Sequence, residues 1–293
     1  MQTLTEKRVF GAKSATSTVY VACEMGLVAV TVSADRIGEF GLIHRGAVSA
    51  VTVDGDRVVI GTDEGVFAGD GRVGAETGAL ADRAFSSVAG DPIGRVVAAG
   101  TGPTGPLVAD AGGGVFRIDD ALAHLADVDA VRAIDGGLLA AKSGVFRVAD
   151  TLTHVGLNDA RDVSGHGVPL AATADGLFRL ANGWLPIRPG SFDRVASDGH
   201  GHAVAVGTAG LCRHVGDDTV SDDTAWVTEP LPTDASIVDV AYGSGILAAI
   251  TDDGTLRVDA GDGWRTQRLG VRDVRALAVG SGHAGERGNR NRV

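Results

Sequence analysis

Charged side chains recur at one point of a repeated strand. Asp162, Asp239 and Asp273 each directly precede a valine, and Arg194 takes the same place before Val195. Arg161, Asp193 and Arg272 stand one residue earlier. Opposite charges gathered at one level around an axis can hold a small polar ligand or a partner's charged side chain. They can equally bond one strand to its neighbour, because a carboxylate accepts backbone N–H groups, and this plainer use is the favoured one. The imidazoles form a second set: His166 in SGHG, His200 and His202 in DGHGH, and His283 in GSGHAG. All four follow an equivalent strand. Neutral imidazoles brought together bind zinc or nickel, but no Asp or Glu stands beside them at a fixed ligand spacing. Surface-turn histidines are therefore the first reading, and a metal site is the alternative. His44, His124, His154 and His214 read as scattered strand or loop residues.

Other chemistry has no template. There is no G-x-S-x-G elbow and no H-E-x-x-H, and GTGPTGP lacks the Lys-Ser/Thr end of a P-loop. The acid pairs Asp119-Asp120, Asp217-Asp218, Asp222-Asp223 and Asp252-Asp253 read as solvated turn acids without EF-hand spacing. No catalytic residue and no cofactor is assigned.

The elements that carry these residues are read from a repeat. A short apolar strand, a tight glycine turn and a second apolar strand recur around Gly26, Gly65, Gly114, Gly144, Gly176, Gly210 and Gly254. Their mean spacing is about 38 residues, the length of a four-stranded propeller blade. Glycine suits the turn because a two-residue hairpin demands positive φ. About ten residues before each hairpin comes an apolar pattern ending at Val51, Val88, Val131, Val163, Val195, Val240 and Val274. These mark the innermost strands. ANGW, GDGW and, more loosely, DDTAW place Trp184, Trp264 and Trp226 at the starts of outer strands, packed between blades. The last inner strand, near Val274, has nothing after it to complete a blade, and the first unit begins without an inner strand. Joined, they make one blade and remove a free sheet edge. The expected fold is all-β: a seven-bladed β-propeller closed by N- and C-terminal strands. Six or eight blades stay open, because the stretch from Gly65 to Gly114 is long and its GTGPTGPLVADAG insert is irregular. The expected organisation is a lead-in over 1–16, the propeller over 17–282 and a flexible basic tail over 283–293.

Composition bounds the partners. Of 37 acidic residues 30 are Asp, only Lys7, Lys13 and Lys142 are lysine, and the net charge is -11. That profile resembles proteins of extreme halophiles; a GC-rich genome is the other source of an Arg-for-Lys bias. The acidic balance argues against non-specific binding to nucleic acid or an anionic membrane. Cys23 and Cys212 lie far apart and give no disulfide framework. The first twenty residues show no secretory signal and no run approaches 18 apolar residues, so a cytoplasmic location is expected.

The units TADGLFRLANGW and TDDGTLRVDAGDGW resemble the Asp-box propellers of sialidases and photosystem stability factors, and the sensor propellers of two-component regulators. The whole also resembles a β-propeller family of haloarchaea. The resemblance covers most of the chain but carries fold, not chemistry, since the complete Asp box is absent. Sialidase activity would need an arginine cluster and a Tyr nucleophile; Tyr20 and Tyr242 suit core or turn roles instead. The resemblance to propellers implies binding at the channel mouth, where Asp162, Arg194, Asp239, Asp273, Arg161 and Arg272 are the candidate residues. The expected function is a non-catalytic module that binds a protein partner through a disc face or the channel mouth. A small polar ligand is the lesser option there, and a metal-dependent hydrolase or lactonase is the alternative.

Overall fold

The computed structural model describes residues 16–33, 36–71, 85–214, 225–229, 235–243 and 245–280. It contains seven four-stranded antiparallel sheets. Their innermost strands are Ala276–Gly280, Ala50–Asp54, Val96–Gly102, Val131–Asp135, Ala160–Ser164, Phe192–Ser197 and Ile237–Gly243, here blades 1 to 7. Each innermost strand contacts the next, and Ala276–Gly280 sits between Ile237–Gly243 and Ala50–Asp54, so the ring closes. The chain is a seven-bladed β-propeller. Blade 1 is the closing blade: Ala276–Gly280 pairs with Ser17–Cys23, which pairs in turn with Gly26–Ser33 and Arg36–Arg45.

The period-two alternation of a strand explains the core. A blade is covered on both faces, so its middle strands are apolar throughout. In Leu138–Ala141, Leu138 and Ala140 pack toward blade 5, while Leu139 and Ala141 pack toward blade 3. In Ser17–Cys23, Val19, Val21 and Cys23 face blade 7, and Tyr20 and Ala22 face blade 2. Every seam between neighbouring blades has its own apolar cluster. The three tryptophans open outer strands as expected, at Trp184–Pro189, Trp226–Glu229 and Trp264–Arg268. Two of them bridge blades: Trp184 Nε1 donates to Val155 O at 3.0 Å, and Trp264 Nε1 to Glu229 Oε1 at 2.6 Å.

Three details differ from the sequence reading. Val88 does not end an inner strand. It follows Ser86–Ser87, the outermost strand of blade 2, and blade 3 starts at Val96. The irregular insert is the first hairpin of blade 3, with Gly102 paired to Gly105. Val274 lies ahead of the closing inner strand, and Leu277 holds the position of Val240 in that strand. Finally, glycine does not serve positive φ in every tight turn. It does at Gly26, where φ is 144° and a Cβ would lie 1.9 Å from His44 O. At Gly176 the φ is ordinary, and glycine leaves room for Arg188 O and the Phe178 ring.

Candidate functional site

The seven inner strands run in the same sense around the axis, so each begins at one face of the disc and ends at the other. Near the start most carry a β-bulge, for example between Ala160 and Asp162, Phe192 and Arg194, and Ile237 and Asp239. The bulge brings the residue after it onto the channel wall at one level. Asp162, Arg194 and Asp239 occupy that level in blades 5, 6 and 7 and line a channel of about 240 Å³.

Both carboxylates bridge blades. Asp162 accepts its neighbour's N–H from Val163 at 2.9 Å and that of Val195, in blade 6, at 2.8 Å. Asp239 does the same with Val240 at 2.9 Å and with Leu277, in blade 1, at 2.8 Å. Arg194 stands between them, with Nε 3.6 Å from Asp239 Oδ1 and Nη1 donating to Asp193 O at 2.8 Å. Burial pushes the Asp162 carboxyl up to about 7, with Asp239 adding repulsion and Arg194 and the two N–H groups opposing it. Asp239 is also raised by burial, against the pull of Arg194. Burial works against the charge of Arg194, but Asp239 and Asp162 outweigh it and raise its value further.

The other candidates lie elsewhere. Arg161 reaches across to blade 6, with Nη1 2.7 Å from Ser191 Oγ and 2.6 Å from Asp193 Oδ1. Arg132, which borders the channel, makes a parallel link, 2.7 Å from Asp159 Oδ1 and 3.2 Å from Ala160 O. Arg272 and Asp273 are exposed in the segment before the closing strand and line no part of the channel. The reason is the register: Ala276, not Asp273, holds the level of Asp239.

A larger concavity, about 620 Å³, opens on the face where the inner strands end. Sequence reasoning did not find it, because three blades contribute to it. Blade 5 supplies His166, blade 6 supplies Asp198, His200, His202 and Arg213, and blade 7 supplies Tyr242, Ile246, Leu247 and the Asp259–Gly261 turn. The one signal was the run of histidines after inner strands. His166 Nε2 lies 3.2 Å from Asp135 Oδ1, and the hydrogen bond to Asp135 raises its value above the usual imidazole range, over the opposing effect of burial. His202 Nδ1 lies 2.6 Å from Asp198 Oδ2. Among the described residues no three His, Cys, Asp or Glu are gathered to hold a metal ion, and His283 lies outside those residues.

The groove's inner wall is an ion network. Arg213 Nε donates to Glu229 Oε2 at 2.9 Å, its Nη2 is 2.7 Å from Asp259 Oδ2, and its guanidinium lies 5.4 Å from the Trp264 ring centre. Burial pushes the Tyr242 phenol up to about 12, with Arg213 opposing and Asp198, Asp259 and Glu229 reinforcing. Tyr20 is buried and donates to Gly71 O at 2.7 Å.

A family described as HVO_0234-like, beta propeller, matches residues 3–280. No curated protein matches the chain. Similar solved structures include apo AztD from Citrobacter koseri, at 8% identity over 92% of this chain and 99% of that chain, with a TM-score of 0.61. YCF48 bound to D1 peptide is 13% identical over 75% and 80% of the two chains, with a TM-score of 0.52. A chain of a nidogen/laminin complex is 8% identical over 90% and 98%, also at 0.52. At these identities the likeness concerns the fold alone.

Proposed function

The chain belongs to the HVO_0234-like beta-propeller family, and we propose that it is a non-catalytic interaction module whose groove beside the channel mouth receives a protein partner. One observation carries this reading: a concavity larger than the channel spans three adjacent blades on one face, with Ile246 and Leu247 among its walls and histidine, tyrosine and aspartate around them. An apolar patch ringed by hydrogen-bonding groups is what a partner's side chains need. The channel charges support the same reading from the other side. Asp162 and Asp239 each hold two backbone N–H groups, so their lone pairs serve the ring itself. The similar propeller YCF48 holds the D1 peptide, an example of partner binding on this fold.

The test is capture from native-salt lysate of the source organism, read by mass spectrometry, with three forms of the chain. Ala260→Arg fills the groove from its rim, and Glu24→Arg changes a turn on the opposite face. A stoichiometric protein held by the wild type and by Glu24→Arg but lost with Ala260→Arg supports the reading. A partner indifferent to Ala260→Arg, or no partner at all, overturns it.

A further inference from the structure

The inner strand of blade 1, Ala276–Gly280, ends on the same face of the disc as the groove. It runs beside the groove wall: Gly243 lines the groove, and a Cβ on that glycine would lie 2.7 Å from Val279 Cγ1. The chain therefore leaves Gly280 next to blade 7, one of the three blades that shape the hollow. Residues 281–293 follow, outside the described residues, and read SGHAGERGNRNRV. A stretch of that length can span up to about 43 Å, which brings the groove within its reach. Its charge is opposite to that of the chain. Arg287, Arg290 and Arg292 stand against Glu286 alone, in a chain of net charge -11.

The groove suits a cation carried on an apolar stem. Ile246, Leu247 and Ala260 form its apolar part, and Asp198 and Asp259 line it as well. Arg213 sits between two carboxylates, 2.9 Å from Glu229 Oε2 and 2.7 Å from Asp259 Oδ2, and its single charge answers only one of them. Asp198 pairs with no Arg or Lys among the described residues; its side-chain partner is the His202 imidazole at 2.6 Å. His166, when protonated, is matched by Asp135. The walls therefore keep an excess of negative charge. Acceptor capacity remains too. Among the described residues Asp198 Oδ2 faces only His202 Nδ1, and Asp259 Oδ2 only Arg213 Nη2, while a carboxylate oxygen carries two lone pairs. Arginine meets both demands: its methylene stem covers apolar surface, and its guanidinium forks onto carboxylates.

We infer that residues 281–293 fold back into the groove of their own chain, with an arginine stem along Ile246 and Leu247 and its guanidinium on Asp198 and Asp259. A tethered segment acts at an effective concentration on the order of millimolar, so modest contacts suffice to hold it. The hydrogen bonds that shape the Asp198 turn stay in place, because the guanidinium uses the lone pairs they leave. Occupancy of the groove by this segment needs no partner. A partner that binds there, as proposed above, enters by displacing the segment, and that consequence alone rests on the partner reading.

The experiment uses the full chain in native salt. Trypsin cuts after Arg287, Arg290 and Arg292, and intact mass follows each cut. The wild type and Glu24→Arg, changed on the opposite face, should be cut slowly there. Ala260→Trp fills the groove without adding a cleavage site and should speed these cuts at least ten-fold. Asp198→Asn keeps an acceptor but removes a charge from the wall, and should speed them less. A nitroxide on Asn289→Cys gives a second readout, since Cys23 and Cys212 are buried. Its spectrum should be broad in the wild-type background and sharpen with Ala260→Trp. Thermal melts confirm that each variant folds. Equal cutting of wild type and Ala260→Trp, or a sharp nitroxide spectrum in both, overturns the inference. So does protection that rises with protein concentration, because the segment then lies in the groove of another copy. Protection that persists where no partner is captured supports this inference and strikes the partner reading alone.

Discussion

Asp239 and Leu277 are joined across the seam between blades 7 and 1, Asp239 Oδ2 accepting the Leu277 N–H at 2.8 Å. Asp162 and Val195 repeat the bond two seams earlier, between blades 5 and 6. The bond spans 38 residues, much as the Asp162–Val195 bond spans 33, and it anchors the inner strand whose pairing with Ser17–Cys23 closes the ring. Asp239→Ala leaves two N–H groups without this acceptor. It should cost about 1–3 kcal/mol, the usual penalty for stranding a buried donor. Asp239→Asn retains one acceptor oxygen and should cost less. Chemical denaturation of the three proteins side by side checks the order.

The Asp162 carboxyl gives stability a pH dependence with a definite sign. Its value in the fold, about 7, lies above the ordinary 3.8, so the native state holds the proton more tightly than the unfolded chain. Its contribution is complete below the ordinary value and disappears as the pH rises through about 7. Asp198 and Asp259 run the other way. Burial pushes each up, but hydrogen bonds from backbone N–H groups and from His202 or Arg213 outweigh it and hold both below the ordinary value. Comparison with Asp162→Asn at each pH cancels those terms. The wild type should lose denaturant resistance relative to Asp162→Asn on going from about pH 5 to about pH 8. A constant difference would place the carboxyl at its ordinary value.

Trp264 ties blade 7 to blade 6 twice, through its Nε1 bond to Glu229 and through the Arg213 guanidinium above its ring. Trp264→Phe keeps a ring for the cation and removes the donor. A loss of about 1.5–3 kcal/mol is expected, in line with a hydrogen bond to a charged acceptor. Trp264→Leu removes both and should cost more. The same pair of substitutions at Trp184, whose indole bonds to the neutral Val155 O, should show a smaller first step. Thermal melts of the four variants measure the difference.

The repeat made the fold legible. Hairpin glycines, inner-strand valines and tryptophans recur at blade spacing, and the unpaired ends implied the closure that Ala276–Gly280 and Ser17–Cys23 form. Blade 3 was misread because its first hairpin turns on Gly102 and Gly105 within a proline-containing run, so its second strand looked like an insert. Register was the second difficulty. Asp273 precedes a valine as Asp239 does, yet hydrogen bonding puts Leu277 at the level of Val240, and a positive φ of 49° at Asp273 keeps it in the preceding turn. The triad of Asp162, Arg194 and Asp239 was visible because bulges keep these residues in step. The groove was not, because nothing local relates His166 to Arg213 or Tyr242. Only the curvature of the ring brings three blades to one hollow.

Arg194 offers the sharpest test of how the channel wall works. It is the cation between two carboxylates that burial already disfavours as ions. Arg194→Met keeps most of the stem and removes the charge, leaving Asp162 and Asp239 to repel each other across the channel. When both are protonated this repulsion vanishes, so the variant should approach wild-type stability in acid. It should fall behind as the pH rises, by on the order of 1 kcal/mol given the solvent reaching the pair. Adding Asp239→Asn to Arg194→Met removes one of the two charges and should recover part of that loss at high pH. Such recovery in a double-mutant cycle measures the coupling directly. If Arg194→Met instead loses the same stability at every pH, the arginine acts by packing along its stem, and the charges of the channel wall do not interact through it.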